Sequence, residues 1–410
     1  MHFIYITPLF LYFPRFLPSI ETQPLLVTLV SIFGLVFGRN RRAALAFAGL
    51  ACVLMFWISI SIGLNGTLSS SIGLIQILIG PLILFGALGL RAPPPSRRVM
   101  AGITIFFVLC AAFEILAPGA YYALASTLLS RASVADGHRG ISLLTPEPTY
   151  AAISVIYFLM LAWWSGKHWG FRFRWIEPVL AFCLIATGST YVGLLLFVLA
   201  CVRWPRRMVL VTTATVIVVP LIGVGALSND DSIRAVVAVS RLLSTDFSDF
   251  LPAISIADSS LGSRLATNTA SFLTLLHSPL GLGLGCEAVP KALEAAGFDF
   301  AFDNAVLIHL LEDGCVKPQS YAATVGIGLG ALSLVFLPLL IALIRSAHGA
   351  VRRPLWASPL VLAGVMLVVQ GQLSSPIPWI LIFLALTGYP DHPKHSPSTQ
   401  STSERELQTT

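Results

Sequence analysis

IEPVLAFCLIATGSTYVGLLLFVLACV runs from Ile176 to Val202, and the way it crosses an apolar layer decides the topology of the whole chain. Lys167, Arg172 and Arg174 stand before it, and Arg203, Arg206 and Arg207 follow it. Lys and Arg gather at the cytoplasmic ends of membrane helices. A segment with such a cluster at both ends must therefore leave and return. Its middle, Ala186 to Thr190 (ATGST), has the small polar composition of a turn. Two short spans, about 176–187 and 190–202, are expected to meet near the outer face.

The rest of the chain fits the same frame. Charged residues make up only 11% of the 410, hydrophobic ones 56%, and the mean hydropathy is +0.84. A soluble domain carries about 25% charge. Apolar runs at about 3–20, 22–38, 43–63, 69–90, 99–117, 148–165, 208–227, 321–344, 355–371 and 377–389 approach or reach the ~20 residues that cross a bilayer. Between them lie Arg39, Arg41 and Arg42; Arg91, Arg97 and Arg98; and Arg345, Arg352 and Arg353. The composition predicts an all-α polytopic membrane protein of about twelve spans, two of them the short pair, with both termini inside. The first run lacks a basic start and a small-residue cleavage site, so it is expected to be a retained span. The net charge of +6 reflects the cytoplasmic clusters and argues for a bilayer rather than a nucleic acid as partner.

The division that follows is 1–117 as N-terminal spans, 118–147 as a small outer loop and 148–227 as central spans. Residues 228–320 form a large outer loop, 321–389 the C-terminal spans and 390–410 a polar tail expected to be disordered. The large loop is acidic on balance, and its only basic residues are Arg234, Arg241, Arg264, Lys291 and Lys317. Isolated cations on the side where positive charge is sparse are candidates for holding an anion.

Arg234 and Arg241 lie two turns apart in SIRAVVAVSRLL (232–243), a helix suited to lie along the membrane, where they could meet headgroups or substrate. In GSRLATNTASFLTLLHSP (262–279) a helix is expected to start at Gly262 and Ser263, with Ser263 as N-cap and an apolar stripe of Leu265, Phe272, Leu275 and Leu276. Arg264 then falls in the first turn, where a cation opposes the helix dipole but joins it in holding a phosphate. GLGLG (281–285) lacks the Lys-Ser/Thr of a phosphate loop and reads as a flexible or closely packed turn.

AFDNAVLIHLLEDG (301–314) reads as an amphipathic helix, with Asp303 either its N-cap or a catalytic carboxylate and His309 structural. RGISLLTPEPTY (139–150) enters a span through Pro146 and Pro148; Glu147 sits where a helix N-terminus favours a carboxylate, and Arg139 beside Gly140 has no structural reason to be there. Cys52, Cys110, Cys183 and Cys201 fall in spans, whereas Cys286 and Cys315 share the outer loop and could pair in an oxidising compartment. No metal-ligating spacing is present in the sequence, and neither metal nor cofactor is expected.

RGISLLTPEPTY, the paired spans around TGSTY, SRLATNTASFLTLLHSPLGLGLG and DNAVLIHLLEDG, in this order, resemble the O-antigen polymerase and O-antigen ligase superfamily, and with span order the resemblance covers most of the chain. Glu147 to Tyr150 (EPTY) is similar to the Glu-Pro-Ser-Tyr-type sequence of the polymerases. The resemblance implies a metal-independent glycosyltransferase at the periplasmic face of a bacterial inner membrane. Its donor and acceptor would be oligosaccharides on undecaprenyl pyrophosphate, and a chain-length regulator and a flippase would be its partners. It places Arg139 and Arg264 among the family's outward-facing arginines. It leaves Glu147 and Asp303 as candidate bases, with Arg234, Arg241, Tyr150 and Asn304 near substrate. The ligases carry His-Asn where this chain has Asp303-Asn304, which favours polymerase over ligase. A transporter or lipid-linked-oligosaccharide flippase is the reading from another class. It would keep ionisable groups at mid-membrane, whereas Glu114 and Glu177 lie close to span ends. A structural scaffold would leave the isolated arginines unexplained.

Overall fold

A computed structural model describes residues 3–12, 24–65, 71–129, 140–170, 175–203, 259–285, 287–298, 320–348, 357–369 and 375–387. Among them every regular element is helical. The chain opens with α1 (Phe3–Ile6) and a tighter helical turn over Thr7–Phe10. Then come α2 (Leu25–Phe37), α3 (Arg41–Asn65), α4 (Ser71–Leu90), α5 (Arg97–Leu116), α6 (Pro118–Leu128), α7 (Pro148–Trp169), α8 (Ile176–Ala186) and α9 (Thr190–Arg203). After them are α10 (Ser259–His277), α11 (Ala288–Ala295), α12 (Tyr321–Leu329), α13 (Leu332–His348), α14 (Ala357–Val369) and α15 (Ile377–Thr387). Arg41–Ile60, Arg97–Leu116 and Pro148–Trp169 are long and apolar enough to cross a membrane, and six shorter apolar helices accompany them. Outward-facing Phe33, Phe37, Phe56, Leu109 and Leu116 give these helices an apolar surface that suits lipid rather than water.

Local sequence explains the boundaries. Ser96 caps α5 by accepting from the Val99 amide, and α7 starts at Pro148, whose missing N–H costs nothing at a first helical position. Gly170 ends α7 in the left-handed region. The segment 176–202 does break at 187–189, between α8 and α9, as its small polar centre predicts. One expectation needs correction. The run 321–344 is not one helix, because Gly330 adopts φ +55 between α12 and α13, and a Cβ there would fall 2.3 Å from the Gly281 nitrogen. The small outer segment 118–147 begins with α6.

Where lipid replaces water, helices gain little by burying apolar surface against each other, and close backbone approach takes over. Gly34 of α2 and Gly38 at its C-cap meet Gly86 and Gly89 of α4; a Cβ at Gly34 would lie 2.5 Å from the Gly86 carbonyl oxygen, and one at Gly89 2.3 Å from that of Gly34. Gly80 of α4 receives the Trp379 indole of α15, within 2.1 Å of where its Cβ would be. At the next residue, Pro81 interrupts the ladder of α4 and leaves the Ile77 carbonyl without its helical donor. The buried Tyr321 hydroxyl donates to that oxygen at 3.0 Å. Its ring packs edge-on against Trp379. The proline thus fixes where α12 docks on α4.

These contacts define two ends of the bundle. Gly38 beside Gly89 brings Arg39 and Arg91 to one end, and the Asn40 amide, donating to Ala347 O at 2.7 Å, brings Arg345 there. The 20-residue α5 carries the chain from this basic end to the opposite one. There Ile141 N donates to Ala186 O, and Asn268 Nδ2 donates to Val368 O near the end of α14.

Removing the Tyr321 hydroxyl strands a buried carbonyl, at a cost of about 1–3 kcal/mol. Tyr321→Phe should lower the unfolding midpoint of the purified protein in detergent. With Pro81→Ala, which restores the N–H facing Ile77 O, the same change should cost less than half as much. Equal losses in both backgrounds would contradict this role.

Candidate functional site

At the end opposite the basic residues, the chain from Gly140 to Tyr150 is held from three sides. Gly140 adopts φ +80 against the break between α8 and α9, where a Cβ would lie 2.2 Å from Thr187 O. Only glycine fits so close to that backbone. Glu114, 6% exposed near the end of α5, then receives the segment. Its carboxylate accepts from the Ser142 amide at 2.8 and 2.9 Å, the Leu143 amide at 3.0 Å and the Ser142 hydroxyl at 3.0 Å. The next amide, Leu144 N–H, donates to the Tyr121 hydroxyl of α6. Three successive N–H groups thus form a concave anion-binding nest that the protein fills with its own carboxylate and phenol.

The backbone pays for this arrangement, since Leu143 and Leu144 sit at φ +51 and +58. A left-handed non-glycine residue costs about 1–2 kcal/mol, while a hydrogen bond to a charged group contributes about 1.5–3. With several such bonds on one carboxylate, the clamp outweighs the strain. Burial pushes the Tyr121 phenol up, which keeps its proton in place. The Thr145 hydroxyl lies 2.7 Å from the carbonyl oxygens of both Ser142 and Glu147, donating to one at a time and tightening the entry to α7.

Glu147 occupies the N-cap position of α7 and is half-buried, and its side chain makes no capping bond. Tyr150, also half-buried, stacks its ring on Tyr12 at a centroid distance of 5.5 Å. Thr149 and Ser189 hydroxyls approach to 3.3 Å, joining the start of α7 to the break before α9.

Arg264 is placed differently from the sequence expectation. Helix α10 begins at Ser259, so Ser263 is inside it and is not its cap, and Arg264 lies in the second turn. The dipole argument, which holds within the first turn, does not apply to it. Its side chain is half-buried, and its Nε is buried with no hydrogen-bond partner. Four residues on, Asn268 is fully engaged: Nδ2 donates to Val368 O at 2.9 Å, and Oδ1 accepts from Ser320 Oγ at 2.6 Å. Ser320 in turn caps α12. The helix carrying Arg264 is therefore anchored to α12 and α14 one turn away from the guanidinium. GLGLG is a closely packed turn: Leu282 N donates to Ile327 O, Ala331 N donates to Pro279 O, and Gly281 lies against Gly328.

The fold brings Glu147, Tyr150 and the Gly140 segment together, and places Arg264 at the same end of the bundle through Asn268 and Val368. Arg139, Arg234, Arg241, Cys286, Asp303, Asn304 and Cys315 lie outside the described residues. Sequence reasoning passed over Glu114 as a residue near a span end. The signal was that it is the sole acid in an otherwise apolar span, where an ionisable residue calls for a partner.

Glu114→Ala should free the Ser142 and Leu143 amides. Hydrogen exchange in the 140–147 peptide should accelerate by about tenfold or more, matching the loss of charge-assisted bonds, with peptides of α2 and α4 unchanged. Unaltered exchange in 140–147 would show that the clamp does not hold the segment.

No protein-family model matches the chain, and searches of the curated proteins and of the solved structures give no match.

Proposed function

We propose that this chain is a multi-pass membrane glycosyltransferase that polymerises undecaprenyl-pyrophosphate-linked oligosaccharide repeats at the periplasmic face of a bacterial inner membrane, yielding O-antigen or a related surface polysaccharide. The proposal takes the basic end as cytoplasmic, about twelve spans in all, and the Glu114–Asn268 end as periplasmic. The observation that carries it is the buried Arg264 Nε, which has no acceptor although its helix is firmly anchored one turn away. A buried guanidinium N–H without a partner is costly, and a diphosphate meeting the half-exposed guanidinium, with the groups that cover Nε displaced, would bring an acceptor and matching charge.

The chemistry follows. A hydroxyl of the acceptor sugar attacks the anomeric carbon of the donor, and the bond from that carbon to the diphosphate oxygen breaks. Charge then grows on the departing undecaprenyl pyrophosphate, where Arg264 and Arg139 stabilise it electrostatically. The hydroxyl proton passes to a carboxylate within hydrogen-bond reach, for which Glu147 and Asp303 are the candidates. Cleavage of the activated glycosyl diphosphate drives the step, so no nucleotide is consumed.

A deletion strain should produce lipopolysaccharide carrying single repeat units, and the wild-type gene should restore the ladder. Arg264→Ala or Arg139→Ala, inserted at normal levels, should leave long chains reduced about a hundredfold or more. A modal-length ladder from Arg264→Ala would contradict the role given to it. Glycan stranded on its lipid carrier in the deletion strain would point to the ligase reaction instead.

A further inference from the structure

Helix α10 packs inside out. Its buried face consists of Ala266, Thr267, Ala270, Ser271 and Thr274, all small. Its bulky apolar residues point outward, with Phe272 65% and Leu276 69% exposed, and Leu280 continues that surface beyond the helix end. Sequence periodicity singles out Leu265, Phe272, Leu275 and Leu276 as a stripe, but α10 buries the opposite set. In water this arrangement would forfeit the apolar area of a phenylalanine and a leucine. In lipid it is the expected one, because small faces let helices approach and large apolar side chains meet the hydrocarbon.

The inner face confirms that close approach is what selects small residues. Ser271 lies against Gly326 of α12, where a Cβ would fall 1.9 Å from the serine hydroxyl oxygen. On the other flank Ala266 and Ala270 meet Val289, Ala292 and Leu293 of α11. Helix α11 has the ordinary sense, with Glu287 and Lys291 paired at 2.9 Å on an exposed face. The α10 surface also runs on from an apolar surface of the bundle. Asn268, one turn before Phe272, bonds the carbonyl of Val368, itself an outward-facing residue of α14.

We infer that the Phe272–Leu276–Leu280 face of α10 rests in the acyl chains of bilayer phospholipid, with the charged face of α11 turned to water. The helix bearing Arg264 is then an interfacial element of the membrane, not part of a soluble loop. The sidedness fits such an element: the apolar stripe and the Glu287–Lys291 pair lie on different helices of one hairpin, and neither covers the other. This inference stands on membrane residence alone and does not need the transferase reading.

The test is photocrosslinking of the full chain in native membranes. The variants are Phe272→p-benzoylphenylalanine and Leu276→p-benzoylphenylalanine, with Lys291→p-benzoylphenylalanine as the water-side control. Mass spectrometry of the peptides should find phospholipid adducts at 272 and 276 and none at 291. The second stripe position decides the matter where the first variant fails to insert. Adducts to polypeptide, whether a second copy or another protein, would overturn the inference. So would polyprenyl adducts in place of phospholipid, absence of any lipid adduct at both stripe positions, or equal lipid labelling at 291.

Discussion

A backbone carbonyl or amide with no water to turn to must find its partner inside the protein, and that constraint organises this molecule. At several of the described helix breaks, ends and entries, a side chain from a distant element supplies the missing partner. Tyr321 supplies the donor that Pro81 withholds from Ile77, and Asn40 meets the Ala347 carbonyl near the end of α13. Glu114 and Tyr121 take up the amides of 142–144, and Asn268 joins the end of α14 to the start of α12. These polar joints fix register more firmly than apolar contact can, because lipid competes equally for apolar side chains.

The same joints build the candidate site. Glu114 and Gly140 hold the segment that follows Arg139 against the break between α8 and α9, while Asn268 holds the helix carrying Arg264. The Arg264 Nε on that support has no acceptor within the protein. Under the proposed function, preorganised charge of this kind would stabilise a leaving diphosphate, because little reorganisation is needed at the moment of reaction.

Much of the fold is legible in the sequence where the signal is local. ATGST at 186–190 marks the break between α8 and α9, and Pro148 marks the start of α7. The arginine clusters mark one end of the bundle as far as the contacts trace it. Features that depend on distant partners are not legible. Nothing near Glu114 announces Ser142, 28 positions on, and nothing near Tyr321 announces Ile77, 244 positions back. The start of α10 is not legible because Ser263 is as acceptable a cap as residues ahead of Ser259, and propensity does not choose among them. Its orientation was hidden for another reason: an apolar stripe looks the same in sequence whether it meets a protein core or lipid. Likewise Gly330 breaks a run of apolar residues that hydropathy joins into one span.

The central claim is that cations fixed at the end of the bundle away from its basic clusters hold a lipid diphosphate while a sugar is transferred from it. Its most direct measurement uses the purified chain in lipid nanodiscs, with undecaprenyl-pyrophosphate-linked repeat units as the sole substrate, in chelator and without nucleotide. The account predicts that one undecaprenyl pyrophosphate is released for each repeat added to a growing chain. Release of the carrier by hydrolysis without chain growth, or no turnover until a metal or nucleotide is supplied, would contradict it.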